Sequence, residues 1–211
     1  MQTIRPAPAG GPLKKFGLNI QTLSTVNRSF AGGPWLGHSP RSKLSLALAV
    51  GLGRTIVSAT LDDCARFDPL LEQYFQQITP PGGIRVRGQW PAVEPFILGA
   101  RSQALLFVQN GGDIGFAMVD SNTENARSDF NLSHFFLTET GRGYLTAYRM
   151  FSMMLSALPG WWEINVPLHN EVSRAFCTRA LQRKGFRRPA THALVDGEKC
   201  THWRFKVNEE E

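Results

Sequence analysis

Between His134 and Phe176 the chain reads without interruption as strand, tight basic turn, helix, strand and a second helix led by asparagine. The pieces are HFFLTET, RGYLTA, YRMFSMMLSALPG, WWEINVP and HNEVSRAF. A strand that returns through a helix to a second strand of one sheet makes a parallel crossover, which few sheet topologies accommodate. The same order has a chemical use. A turn feeding a helix N-terminus beside a parallel strand pair gathers unpaired amide N–H groups at the positive end of the helix dipole, a natural cradle for a pyrophosphate.

The flanking sequence supplies the rest of a mixed sheet. TIVSAT reads as a strand, its β-branched residues alternating with small ones. Leu61-Asp62-Asp63 opens a helix with acids at its positive end, and Phe67, Leu70, Leu71, Tyr74, Phe75 and Ile78 recur at helical spacing. Pro80-Pro81-Gly82-Gly83 stops it, and between Ile84 and Leu98 the prolines Pro91 and Pro95 allow only short helical turns. ALLFVQN and DIGFAMVDS are apolar runs joined at Asn110-Gly111-Gly112-Asp113, which predicts a hairpin. The spacing then predicts a strand over Leu132–Leu137, a helix over Gly143–Leu158, a strand over Trp162–Val166 and a helix over Glu171–Lys184 ended by Gly185. THALV and THWRFKV close the chain as a second hairpin. The class is α/β, with a mixed (α+β) sheet and no internal repeat.

Charge divides the chain. The first acid is Asp62, so residues 1–54 carry seven cations (Arg5, Lys14, Lys15, Arg28, Arg41, Lys43 and Arg54) and no acid, while the remainder holds 16 basic and 17 acidic residues. Residues 1–53 therefore read as a basic lead, a loose tail or a targeting or secretion segment, in which Leu44–Val50 has the makings of one helix or strand against the domain. The domain proper is 54–211. Its near-neutral balance disfavours a broad nucleic-acid footprint, which needs clustered cations. The apolar run Leu44–Leu52 is too short to cross a bilayer. Cys64, Cys177 and Cys200 are too widely spaced for a zinc motif, so no metal is expected, and the odd count suits a reducing, cytoplasmic setting.

The ordered set His134-Phe135-Phe136-Leu137, Arg142-Gly143-Tyr144-Leu145-Thr146-Ala147, Pro159-Gly160-Trp161-Trp162 and Asn170 to Phe176 resembles the GNAT superfamily of N-acetyltransferases. The resemblance runs from about Arg54 to Val207 and excludes the lead. It implies a GNAT-like fold with a central, splayed parallel strand pair and flanking helices. It also implies acetyl-CoA, or another acyl-CoA, as co-substrate and an amine-bearing acceptor, either a small molecule or a macromolecular amine.

By that resemblance the pyrophosphate falls to the turn Arg142, Gly143, Tyr144, Leu145, Thr146 and Ala147. Leu145 stands where the family places glycine. The pantetheine arm would pair with the backbone of Phe135, Phe136, Leu137 and Thr138 and meet Asn170 and Phe176. Phe135, Phe136 and Phe176 equally suit core packing, and Asn170 a helix cap. His134 stands where relatives often keep a glutamate base, and its imidazole suits that role as well as a structural one. Cys177 stands where many relatives place a tyrosine acid; it fits either that role or a small buried residue, with Ser173 a weaker candidate. Three readings outside this frame are blander. Asp62-Asp63 caps a helix, Trp161-Trp162 packs, and the cluster Arg179, Arg183, Lys184, Arg187 and Arg188 complements a helix dipole or meets a phosphate of CoA or RNA. The departures from the family pattern leave one alternative, a catalytically degenerate module that binds acyl-CoA or a partner.

Overall fold

The β-hairpin about Asn110 shows how local chemistry starts the sheet: Asn110 (φ 52°) and Gly111 (φ 81°) both take the left-handed conformation that a tight two-residue turn needs. In the computed structural model, which describes residues 20–21, 47–50, 53–78, 92–187, 189–195 and 197–208, this hairpin joins β4 (Gln103–Gln109) to β5 (Gly112–Asp120). The other strands are β1 (Ile20–Gln21), β2 (Ala47–Val50), β3 (Arg54–Ser58), β6 (Phe130–Leu137), β7 (Gly160–Pro167), β8 (Thr191–Val195) and β9 (Glu198–Val207). The helices are α1 (Cys64–Ile78), entered through a 3-10 turn at Leu61–Asp63, then α2 (Glu94–Leu98), α3 (Tyr144–Ala157) and α4 (Glu171–Arg183). One nine-stranded mixed sheet results, in the order β2-β3-β4-β5-β6-β7-β9-β8, with β1 added against β6.

Two pieces of the basic lead thus enter the sheet. Ala47–Val50 pairs antiparallel with β3, and Ile20–Gln21 pairs antiparallel with β6. The expected helix stop at Pro80–Gly83 and the first part of the ambiguous stretch, up to Pro91, lie outside the described residues, as does Arg188. Asp63 accepts from the Thr60 amide at 2.9 Å and pairs with Arg66 at 2.7 Å, so this acid is engaged at the helix start.

The sheet separates two apolar cores. Phe67, Leu71 and Tyr74 of α1 and Ile97 of α2 bury Leu106, Phe116 and Phe136 on one face. On the other, Phe151 of α3 and Phe176 of α4 cover Phe135, Trp162 and Trp203. Strand β6 serves both faces through a bulge. Met118 stands opposite His134 but Val119 opposite Leu132, which leaves Ser133 as the extra residue. The bulge puts Leu132 and Phe135 toward α3 and α4, and His134 and Phe136 toward α1 and α2. Gly115 permits the close approach beside it: a Cβ there would lie 2.1 Å from the Phe136 carbonyl oxygen.

The crossover at the centre is parallel, but only briefly. β6 and β7 pair at Phe130 with Trp162 and at Asn131 with Glu163, and at no later residue. β7 instead stays with β9 from Gly160 to Pro167. Beyond Asn131, therefore, β6 and β7 part into a wedge that ends at the turn into α3.

Candidate active site

At the narrow turn between β6 and α3 the backbone is bent by its own hydrogen bonds. The Thr138 amide donates to Ile114 O at 2.8 Å, the Gly141 amide to Thr138 O at 3.1 Å and the Arg142 amide to Glu139 O at 3.3 Å. Gly143 then starts α3 with φ 154° and ψ 138°, a region essentially confined to glycine, and no side chain caps the helix. The first in-helix bond to Gly143 O comes from the Ala147 amide at 2.9 Å. The amides of Tyr144, Leu145 and Thr146 are thus the first-turn donors that a helix cannot satisfy itself.

Arg142 lies against this end. Its Nε donates to Leu137 O at 3.3 Å, Nη1 stands 3.7 Å from Glu139, and Nη2 is buried with no hydrogen-bond partner among the described residues. Burial lowers its pKa somewhat, with Glu139 acting the other way. A half-enclosed cation with a donor unpaired among the described residues, beside three first-turn amides with no partner there and a glycine whose Cβ would meet nothing within 4 Å, is a fitting place for a pyrophosphate. Leu145, the departure from glycine, is 56% exposed.

The wedge walls are aromatic. Phe135 stacks on Phe176 with ring centroids 5.9 Å apart, and Phe151 meets both edge-on. Both Phe135 and Phe176 are buried. Phe136 lies on the opposite face, against Tyr74 and Phe116. Leu137 and Thr138 are buried beside the turn, and Asn170 caps α4 by accepting from the Ser173 amide at 3.1 Å.

His134 is half-buried on the α1 side of the sheet. Its Nδ1 lies 3.0 Å from the Tyr74 hydroxyl, a contact across 60 residues of sequence. Burial pushes the imidazole down to about 4, so it is neutral across the physiological range. Burial also raises the Tyr74 pKa, which keeps the phenol protonated. Cys177 and Ser173, both fully buried on α4, belong to the other face, and burial pushes the Cys177 thiol well up. The structure therefore brings His134 and Tyr74 together and keeps His134 and Cys177 apart. Tyr74 escaped sequence reasoning as a functional residue; helical spacing marks it only as one of a buried row.

A second polar group braces the closed end of the wedge, where β6 and β7 are still paired. Glu163 of β7 is fully buried and accepts from the Glu124 amide at 2.8 Å, the Asn125 amide at 3.0 Å and the Ser128 hydroxyl at 2.6 Å. Arg204 Nε holds Ser128 in turn, at 3.0 Å, and its guanidinium lies 4.1 Å over Trp161. Asp120 accepts from Ser133 and, at 3.3 Å, from Asn131, next to the bulge. The carboxylate of Glu163 thereby fixes the loop 122–128. Glu163→Gln, which turns an N–H donor toward those amides, is expected to cost about 2–3 kcal/mol, the worth of charged hydrogen bonds. Chemical denaturation should read that loss, and amide exchange at Glu124 and Asn125 should accelerate.

Part of the basic cluster is engaged internally: Arg183 lies 4.5 Å over the Tyr148 ring and Lys184 donates to Ser156 at 3.0 Å. A cleft of about 590 Å³ between α4 and the β8–β9 hairpin, lined by Phe186, Arg187 and Trp203, is separate from the wedge.

No family model matches the sequence, and no curated protein matches it. Solved structures do. A RimL ribosomal L7/L12 alpha-N-protein acetyltransferase in complex with coenzyme A aligns at a TM-score of 0.54 and 11% identity, over 78% of this chain and 99% of that one. An N-acetyltransferase from Staphylococcus aureus Mu50 aligns at 0.52 and 8% identity, over 72% and 97%. The ribosomal-protein-S5-alanine acetyltransferase from Vibrio fischeri aligns at 0.51 and 11% identity, over 78% and 98%. The splayed parallel pair and flanking helices expected from the sequence are thus present, and the chain has the GNAT fold.

Proposed function

We propose that this protein is an acyl-CoA-dependent N-acyltransferase that moves an acetyl group from acetyl-CoA to an amine. The observation that carries the reading is the uncapped N-terminus of α3 with the unpartnered Nη2 of Arg142 beside it, set where β6 and β7 part. Arg142, Gly143 and the amides of Tyr144, Leu145 and Thr146 would hold the pyrophosphate, with Ala147 a small residue beneath it. The backbone of Phe135, Phe136, Leu137 and Thr138 would run beside the pantetheine arm, with Asn170 and Phe176 across from it. Support for the co-substrate comes from a neighbour of the same fold in complex with coenzyme A.

In the transfer the amine nitrogen forms a bond to the thioester carbon, the carbon–sulfur bond breaks, the amine gives up a proton and the thiolate gains one. His134 is neutral and suited to take the proton. With Nδ1–H donating to Tyr74, its Nε2 lone pair is left for that task. Its place on the α1 side puts the amine on the face of the sheet opposite α3 and α4. Cys177 and Ser173 are enclosed in the core, and we assign the leaving thiolate's proton to solvent.

The enclosure of Cys177, which leaves no protein acid in the place many relatives have one, favours one alternative: a module that binds acyl-CoA without turnover. Calorimetric titration with acetyl-CoA, followed by thiol release across a panel of amines, separates the readings. Micromolar binding with release is expected. Binding without release would favour the silent module, and no binding at millimolar acetyl-CoA would sink both.

A further inference from the structure

The edge of β6 that faces the wedge already has an occupant. Phe135 and His134 pair on one side with Ala117 and Met118 of β5. The same two residues pair with Ile20 and Gln21 of β1, antiparallel, so β1 must lie along the other edge, where β7 has departed. β7 runs close by, which seats this short piece of the lead inside the wedge. An extended backbone added to an open sheet edge is held by main-chain hydrogen bonds and needs no particular side chain.

We infer that this edge of β6 is a strand-accepting surface whose resident partner is residues 20–21 of the chain's own lead, and that acyl-CoA binds by displacing them. The inference rests on the acyl-CoA reading, because the pantetheine amides and the lead would claim the same backbone groups of Phe135. Successive residues of a strand point their N–H and C=O to opposite edges, and Thr138, three residues on, bonds to Ile114 of β5, which leaves Phe135 facing the wedge. One edge serves one strand. The lead thus acts as an intramolecular competitor, and the measured affinity for acyl-CoA is reduced by the fraction of molecules in which the edge is taken. Because the competitor is tethered, its occupancy is independent of protein concentration.

The test compares the full-length protein with a full-length Ile20→Pro, Gln21→Pro double variant, in which proline removes both amide donors from β1. An Ile20→Ala, Gln21→Ala variant keeps those donors and should behave as the wild type. Without ligand, amide exchange at Phe135 should speed up in the proline variant, and calorimetry should find acetyl-CoA bound about tenfold more tightly, the factor that about 1.4 kcal/mol represents. Equal exchange and equal affinity in the two proteins would overturn the inference, as would weaker binding by the proline variant. Were neither protein to bind acetyl-CoA, the displacement would fall together with the acyl-CoA reading. An exchange difference between them would in that case still establish the lead as the occupant of the edge.

Discussion

Replacing His134 by alanine is expected to lower kcat roughly 10²- to 10⁴-fold, the usual worth of a positioned general base. The affinity for acetyl-CoA should change little, since the imidazole lies on the α1 side and the phosphate cradle at the start of α3. Two controls keep this effect apart from damage to the fold. The single variant strands the buried Tyr74 hydroxyl, whose partner is His134 Nδ1, at a cost of about 1–3 kcal/mol in stability. Adding Tyr74→Phe removes that orphan, so the double variant should recover stability without recovering rate.

The pH profile supplies a second control. A base must be unprotonated, and burial holds His134 at about 4, so kcat/KM should stay level down to about pH 5 and fall only as pH drops through about 4. An acid limb at the ordinary imidazole value of 6.5 would assign the base elsewhere. Stability follows the same group with a definite sign. The unfolded chain takes up this proton near 6.5 and the folded chain only near 4, so the fold loses stability steadily as pH falls between those values.

The other large effect is expected at the cradle. Arg142→Ala removes the cation whose Nη2 has no hydrogen-bond partner among the described residues, and should weaken acetyl-CoA binding about tenfold to a hundredfold, the equivalent of one or two charge-assisted hydrogen bonds. The apo protein should lose little stability, because among the described residues the guanidinium is tied to the fold by Nε, bonded to Leu137 O at 3.3 Å, and by a 3.7 Å contact to Glu139. Gly143→Ala probes the same place by another route. A Cβ there meets nothing within 4 Å, so its cost is one of backbone conformation, about 1–3 kcal/mol. It should fall on the start of α3 and hence on acetyl-CoA affinity. Calorimetric Kd values with saturating-substrate kcat measured alongside read both; an Arg142→Ala protein that binds acetyl-CoA as the wild type does would remove the pyrophosphate from this turn.

Much of this architecture is legible in the chain because it follows from local chemistry. Alternation marks β3, continuous apolar runs about a turn mark β4 and β5, helical spacing marks α1, and the glycines at 111 and 185 end a strand and a helix where positive φ is needed. The turn from Arg142 to Ala147 is legible as the entry to α3 for the same reason: its residues are neighbours in sequence. The contacts that shape chemistry at a distance were not. Tyr74 and His134 are 60 residues apart, and only the packing of α1 on the sheet brings them together, which leaves no mark in the local residue pattern. Glu163 reads as one acid within an apolar strand, and its three partners come from a loop some 35 to 39 residues away. A two-residue strand such as Ile20–Gln21 is too short to show any period at all.

The separation of the two cores by the sheet has an evolutionary consequence. On the proposed reading, donor recognition would be concentrated at the start of α3, whereas the His134–Tyr74 pair sits beneath α1. Substitutions in α1, in α2 or in the loop tied to Glu163 can therefore reshape which amine is accepted without touching the turn that grips the donor. A lineage built on this plan is free to exchange acceptors one residue at a time while its dependence on a single activated thioester stays constant.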